Sequence, residues 1–151
     1  MFNILINYPD KNEEKQIVKS LTTENDSRIE AVITQEDLQS FQDLIKHVPV
    51  SDNVIEYAVK LVRMTRATDG DVPEITKNWL EWGAGPRAST FLVMAAQAKC
   101  LLNGKSTPDI SDIQSIAKPV LRHRIITNFT AEADGVSKED ILNQLIELSQ
   151  D

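Results

Sequence analysis

Residues 83–90 read Gly83-Ala84-Gly85-Pro86-Arg87-Ala88-Ser89-Thr90. The two glycines predict a tight turn, and Pro86 is favoured at a first helical position because its ring fixes φ and it has no amide hydrogen to leave unpaired. Arg87 then falls in the first helical turn, where the positive end of the helix dipole disfavours a cation. Free amides, the dipole and a guanidinium together are typical of a phosphate site. The simpler interpretation is an ordinary helix start at a Gly-Pro turn, followed by a surface arginine. Taken alone, the motif favours this simpler interpretation.

The composition indicates one helical domain. The chain has 151 residues, of which 41% are hydrophobic, 26% charged and 5% aromatic, with only five glycines. Few aromatic residues and few turn glycines argue against a sandwich or barrel, so we expect a mainly α fold. The net charge of −7 argues against a nucleic-acid partner. No apolar run approaches the roughly 20 residues of a membrane span, so we expect no membrane insertion.

The single cysteine is informative about the redox state of the cellular compartment. Cys100 has no second cysteine with which to form an intramolecular disulfide, which fits a reducing compartment, and we expect the cytoplasm. Cys100 lies in an apolar run, where a small core residue is more common than a nucleophile.

The first segment predicts one strand. Phe2-Asn3-Ile4-Leu5-Ile6-Asn7 is apolar enough for a strand, which Tyr8-Pro9 would end. No other segment predicts a strand convincingly, and a lone strand has no partner for its backbone groups. Either two copies of the chain pair here, or the sheet to which this strand belongs is missing from the sequence.

The remainder predicts helices with recognisable starts. Asp10, Thr34, Ser51 and Ser137 each precede an amphipathic stretch and are suitable N-caps. A further helix is expected from Thr107-Pro108 and is expected to break at Pro119. Asn103-Gly104 should end the helix that begins at Pro86. Residues 68–77 are the most loop-like stretch.

Two motifs suggest chemistry that the chain does not support. Gly104-Lys105-Ser106 resembles the end of a phosphate-binding P-loop, but Lys99 stands where that motif needs a glycine. Two histidines and one cysteine are too few for a convincing zinc site, and we predict no metal ligands.

The cluster Arg122-His123-Arg124 suits the end of a helix, and an anion or partner contact is the alternative.

Three blocks together resemble the C-terminal part of the MoxR-type AAA+ ATPases. The blocks are Gly83-Ala84-Gly85-Pro86-Arg87-Ala88, then Asp112-Ile113 with Ala117-Lys118-Pro119-Val120-Leu121-Arg122-His123-Arg124-Ile125, then Gly135-Val136 before a final helix. Phe2-Asn3-Ile4-Leu5-Ile6, Tyr8-Pro9 and Glu13-Glu14 resemble the last strand of that family's core and its entry into the helical lid. The likeness runs from about Phe2 to Ile146.

The resemblance implies a nucleotide role for the opening turn. Arg87 would be the sensor-2 arginine, which reaches from the lid to the γ-phosphate of ATP, and Gly83, Gly85 and Pro86 would shape its turn. Tyr8 and Pro9 would lie near the adenine. Residues 1–9 would be the last core strand and junction, and residues 10–151 a helical-bundle AAA+ lid domain. Magnesium would be held by the core.

The resemblance also implies partners: the ATPase core of the same protein, neighbouring subunits of a ring and a von Willebrand factor A-type protein. Two departures qualify it. Gly85 stands where the family usually carries serine, and the P-loop, the magnesium-binding acids and the arginine finger are absent from the printed sequence. We therefore expect a fragment that does not hydrolyse ATP alone. The alternative is a free-standing helical adaptor that binds another protein and has no nucleotide role.

Overall fold

The computed structural model describes residues 2–23 and 30–150, and within these ranges it contains eight helices and two short strands. The elements are α1 Lys11–Thr22, α2 Gln35–Lys46, α3 Asp52–Arg63, α4 Glu74–Trp79, β1 Leu80–Trp82, α5 Pro86–Leu102, α6 Ile110–Leu121, β2 Ile126–Thr127, α7 Phe129–Ala133 and α8 Lys138–Leu148. The predicted mainly α class is confirmed.

Side chains at the helix starts explain where several helices begin. In α1, α2, α6 and α8 the N-cap side chain accepts from a backbone amide of the first turn, and an acidic residue three positions later accepts from the N-cap amide. The pairs are Asp10 with Glu13, Thr34 with Asp37, Asp109 with Asp112, and Ser137 with Asp140. The predicted N-caps Asp10, Thr34 and Ser137 are confirmed. Ser51 precedes α3 as expected but makes no side-chain cap bond.

The core lies between α3, α5, α6 and α8. Helix α5 packs against both α3 and α6, and α6 packs against α8. The large side chains that are fully enclosed include Leu61 of α3, Leu92 of α5, Ile113 of α6 and Leu142 of α8. By contrast, α1 and α2 bury no residue, although α2 contacts α5, so much of their apolar surface stays exposed. The stable unit of the described chain therefore begins at about α3.

The structure differs from the sequence prediction in its strands. The predicted strand over Phe2–Asn7 is wrong for the described chain: residues 2–10 form no regular element, and the amide of Asn3 donates to the carbonyl of Pro119 at 2.7 Å. A strand requires a partner, and no ladder of backbone bonds reaches this segment. The strands that do form, β1 and β2, pair antiparallel with Leu80 opposite Thr127.

Two boundaries also differ. The stretch 68–77, predicted as a loop, contains the first turn of α4 from Glu74. The predicted break at Pro119 is wrong, because α6 continues through it to Leu121. Proline removes only one backbone donor so near the end of the helix, and the next bond, from Arg122 N to Lys118 O at 2.9 Å, restores the helical pattern. Gly104 has φ +70° just after α5, so the predicted stop at Asn103-Gly104 is confirmed.

Acid is expected to weaken the helix starts. Hydrogen bonds from Thr34 lower the pKa of Asp37, those from Lys105 and Ser111 lower that of Asp109, and those from Ser137 lower that of Asp140. A carboxyl whose pKa is lower in the folded state stabilises above its unfolded value of about 4, and this contribution is lost as the pH falls through the folded value. We expect the urea midpoint, followed by circular dichroism, to fall between about pH 5 and pH 2.

The variant Asp140→Asn is the control for that acid titration. It should be less stable than the parent chain at neutral pH and should lose less on acidification, because one titrating cap is gone. An identical acid loss in the parent and the variant would contradict this assignment.

Candidate functional site

The turn before α5 has the geometry that the sequence predicts. The helix begins at Pro86 with Gly85 as its N-cap, at φ −80° and ψ 174°. The amide of Ala88 donates to the carbonyl of Gly85 at 2.9 Å. These angles are open to any residue, and a Cβ on Gly85 would meet no atom within 4 Å. A serine would therefore fit at this position, and the only effect of the glycine is that the turn lacks a capping hydroxyl.

A clamp formed by Thr65 and Arg66 fixes this turn to the end of α3. The amide of Ala84 donates to Thr65 Oγ1 at 2.9 Å, and Arg66 Nε donates to the carbonyl of Ala84 at 2.9 Å. Thr65 is fully buried and donates in turn to the carbonyl of Val62 at 2.6 Å. Both polar backbone groups of buried Ala84 are therefore satisfied by adjacent residues of one segment.

Gly83 brings the two backbones into direct contact. A Cβ at this position would lie 2.3 Å from the carbonyl oxygen of Thr65 and 2.8 Å from the Cα of Arg66. Both are backbone atoms, which cannot rotate away as a flexible side chain can. Of the two glycines in the turn, Gly83 is therefore the one that packing requires.

Arg87 projects from the clamped turn into solvent. Its side chain is exposed and, within residues 2–23 and 30–150, takes part in no hydrogen bond or ion pair. Its Cζ lies 5.9 Å from the centroid of the Phe91 ring, one helical turn further along α5. Pro86 has no amide hydrogen and the Ala88 amide is bonded to Gly85, so the first turn presents the Arg87 amide and its guanidinium at the positive end of a 17-residue helix.

A second arginine approaches the same ring. The Cζ of Arg124, from the connection between α6 and β2, lies 5.2 Å from the centroid of Phe91. Arg124 also donates to the carbonyl of Val120 in the last turn of α6. Burial, with a smaller contribution from the charge of Arg87, lowers the pKa of Arg124.

The other arginine of this basic cluster is structural. Arg122 Nε lies 2.9 Å from Glu139 Oε1, an ion pair that joins the end of α6 to the start of α8. With Arg124 bound to a carbonyl of α6, the interpretation of residues 122–124 as a helix-end cluster is supported.

Tyr8 and Pro9 lie in a different place from the turn. They line an open hollow of about 710 Å³ between the first segment and α1, together with Ile6, Ile17 and other residues. Neither Arg87 nor the turn residues 83–86 line it. The described chain therefore does not bring the two groups of predicted nucleotide contacts into one pocket, and their shared role stays a prediction.

The P-loop-like motif has a structural role. Lys105 Nζ lies 2.8 Å from Asp109 Oδ2 and 3.1 Å from Asp112 Oδ2, and the side chain of Asp112 is only 3% exposed. The lysine thus neutralises a buried carboxylate at the start of α6. Among the described residues, no group of three or more His, Cys, Asp or Glu side chains is placed to hold a metal ion.

Comparison with known proteins identifies the helical region. The family described as the AAA lid domain matches residues 72–145, which run from just before α4 into α8. Residues 72–145 therefore resemble an AAA lid domain. The clamped turn and Arg87 lie inside this matched region, whereas α1, α2 and α3 precede it.

Relatives extend the likeness to nearly the whole chain. Over 97% of its length the chain is 27% identical to the chaperone MoxR1 of Mycobacterium tuberculosis and 30% identical to the uncharacterised protein YeaC of Bacillus subtilis. A crystal structure of a candidate ATPase from Cytophaga hutchinsonii superposes with a TM-score of 0.84 at 27% identity, again over 97% of the chain. The predicted resemblance to MoxR-type AAA+ ATPases is confirmed.

The chain spans only part of these proteins. It covers 39% of MoxR1, 43% of YeaC and 45% of the Cytophaga chain. Among the described residues of the lid and its preceding helices, no helix is both long and apolar enough to cross a bilayer.

Proposed function

We propose that this chain acts as the lid of a MoxR-type AAA+ ATPase, which closes over ATP and brings Arg87 to the γ-phosphate as the sensor-2 residue. The observation that carries the proposal is the state of Arg87. It is exposed at the start of α5, lacks a hydrogen-bonding or ionic partner among the described residues, and stands on a turn held by two hydrogen bonds.

The local electrostatics suit a phosphate. The positive end of the α5 dipole and the amide of Arg87 favour an anion, and the guanidinium adds charge-assisted hydrogen bonds. Such a bond contributes about 1.5–3 kcal/mol when it is formed to a charged group. A cation at this end of a helix is mildly unfavourable without an anion, so closure over ATP would relieve that cost.

The remaining parts of the nucleotide site would come from a core outside the printed sequence. Tyr8 and Pro9, at the proposed junction of residues 1–9 with the lid domain 10–151, would contact the adenine. The apolar side chains Ile4, Leu5 and Ile6 are exposed, which supports a core that covers them. The core would hold the phosphates and magnesium, and the 151-residue chain alone would not hydrolyse ATP.

The proposal extends to assembly. The similarity of the chain to a chaperone, MoxR1, supports a chaperone-like ATPase. We propose that the subunits of this ATPase form a ring in the cytoplasm. A von Willebrand factor A-type protein is the proposed partner of that ring. The exposed apolar faces of α1 and α2 are available for contacts with the core or with a neighbouring subunit.

Arg87→Ala tests the sensor assignment in the ATPase that carries this chain after its core. We expect ATP turnover to fall about tenfold, because a charge-assisted contact to the transferred phosphate is lost. The melting temperature should change little, since the contact of Arg87 with the ring of Phe91 is an exposed cation–π contact worth at most about 1 kcal/mol. The measurement is steady-state phosphate release, with circular dichroism as the check on folding.

Arg63→Ala is the matched control. Arg63, the last residue of α3, is also an exposed arginine, with a side chain that is 63% accessible. Its Nε lies 3.3 Å from Asp69 Oδ2. Arg63 lies two residues before Thr65, but its side chain pairs with Asp69, so its loss removes the same charge without breaking a bond of the clamp and should leave turnover unchanged. Equal turnover in the parent, Arg87→Ala and Arg63→Ala would contradict the sensor role and favour the helical adaptor.

A further inference from the structure

The ring of Phe91 holds two like charges. The Cζ atoms of Arg87 and Arg124 lie 5.9 and 5.2 Å from its centroid, so they are at most about 11 Å apart. Each distance is within the range of about 6 Å in which a guanidinium is attracted to an aromatic face. After burial, the charge of Arg87 is the second cause that lowers the pKa of Arg124, so the two cations repel each other, and salt with a Debye length of about 8 Å screens part of that repulsion.

The two arginines differ in how they are held. Arg124 is half-buried and donates to the carbonyl of Val120 at the end of α6. Arg87 is exposed, and the ring of Phe91 is its recorded contact in the described chain. Repulsion between the two moves the side chain that is held less, which is Arg87.

We propose that Phe91 and Arg124 are positioning residues for Arg87: the ring supports its guanidinium, and the charge of Arg124 keeps it directed away from the end of α6. This inference rests on the proposed phosphate role of Arg87. It also strengthens a selectivity that Arg87 alone would have. The charge of Arg124 adds to that of Arg87, and the summed attraction grows with the anion's charge, so triphosphate is favoured over monophosphate more strongly than by one arginine.

Nuclear magnetic resonance of the arginine Nε–Hε groups tests this in the 151-residue chain. Phe91→Leu removes the ring current, so the Arg87 and Arg124 signals should both move, while Phe91→Tyr should leave them near their original positions. Titration with tripolyphosphate should perturb the Arg87 signal, and its affinity should fall about two- to fivefold in Phe91→Leu, the loss of one exposed cation–π contact. Orthophosphate should bind more weakly, with a smaller difference between variants.

Arg124→Gln tests the charge separately from the ring. The ratio of tripolyphosphate to orthophosphate affinity should fall about two- to fivefold, the size expected for one charge at this distance near the surface. Phe129→Leu and Arg63→Gln are the controls, because Phe129 is 83% exposed on α7 and Arg63 lies on α3. Neither control should change the Arg87 signal or the affinity ratio.

Two failures are distinguishable. If tripolyphosphate perturbs Arg87 equally in the parent chain, Phe91→Leu and Arg124→Gln, the positioning role is overturned and the phosphate role of Arg87 stands. If the Arg87 signal moves in Phe91→Leu but tripolyphosphate never perturbs it in the parent chain, the proposed phosphate role fails, and the positioning proposal fails with it.

Discussion

Replacing Gly83 with alanine is expected to lower the free energy of unfolding by about 3 kcal/mol, at the upper end of overpacking effects. The new Cβ would lie 2.3 Å from the carbonyl oxygen of Thr65 and 2.6 Å from its carbonyl carbon, both backbone atoms. Relief of this clash requires that the turn move away from α3, which breaks the bonds of Thr65 and Arg66 to Ala84. Urea unfolding followed by circular dichroism measures the loss.

Gly85→Ser is the matched control for that substitution. The position is two residues further along the same turn, has φ −80° and has no atom within 4 Å of an added Cβ. Serine is a better N-cap than glycine, so the chain should be unchanged or more stable by a few tenths of a kcal/mol. If Gly83→Ala were as stable as Gly85→Ser, the close approach of the turn to Thr65 would be contradicted.

Lys105→Met is expected to lower the urea midpoint of unfolding clearly more than the loss of a surface ion pair does. Asp112 is 3% exposed and accepts from Lys105 Nζ at 3.1 Å, so removal of the amine leaves a buried carboxylate without its counter-charge. The lysine is itself 38% exposed, and Asp112 keeps its bond from the amide of Asp109 at 3.0 Å, which places the cost at the lower end for a broken buried pair.

Lys77→Met gives the comparison that isolates burial. Lys77 also pairs with a carboxylate, Glu74, at 3.1 Å, but that carboxylate is 78% exposed. Such a surface pair contributes less than about 1 kcal/mol. In thermal and urea unfolding, Lys105→Met should therefore lose clearly more stability than Lys77→Met. A Lys105→Met chain as stable as Lys77→Met would show that Asp112 is solvated by other means.

The helices could be predicted because their signals are local. A side chain such as Asp10, Thr34 or Ser137 binds amides within its own first turn, so three or four consecutive residues specify where the helix begins. The start of α5 at Pro86 follows from the same kind of information. The fold class and the open position of Arg87 could thus be predicted from sequence.

The support of the site could not be predicted, because its partners are distant in sequence. Thr65 binds Ala84 across 19 positions, and Arg124 meets Phe91 only because α5 packs against α6. Strands β1 and β2 have three and two residues, too few for an alternating pattern. The predicted strand at Phe2–Asn7 was wrong for the opposite reason, since its pattern is clear but the described residues 2–23 and 30–150 supply no strand that pairs with it.

The clamp at Ala84 has a mechanical consequence. Because both polar groups of that peptide are bound to the end of α3, the base of Arg87 cannot swing as a separate loop without breaking two hydrogen bonds. A pull on the guanidinium is transmitted to α3 and α5 together, and through their shared core to α6 and α8. Closure of the lid as proposed above would therefore carry the four helices together as one rigid body.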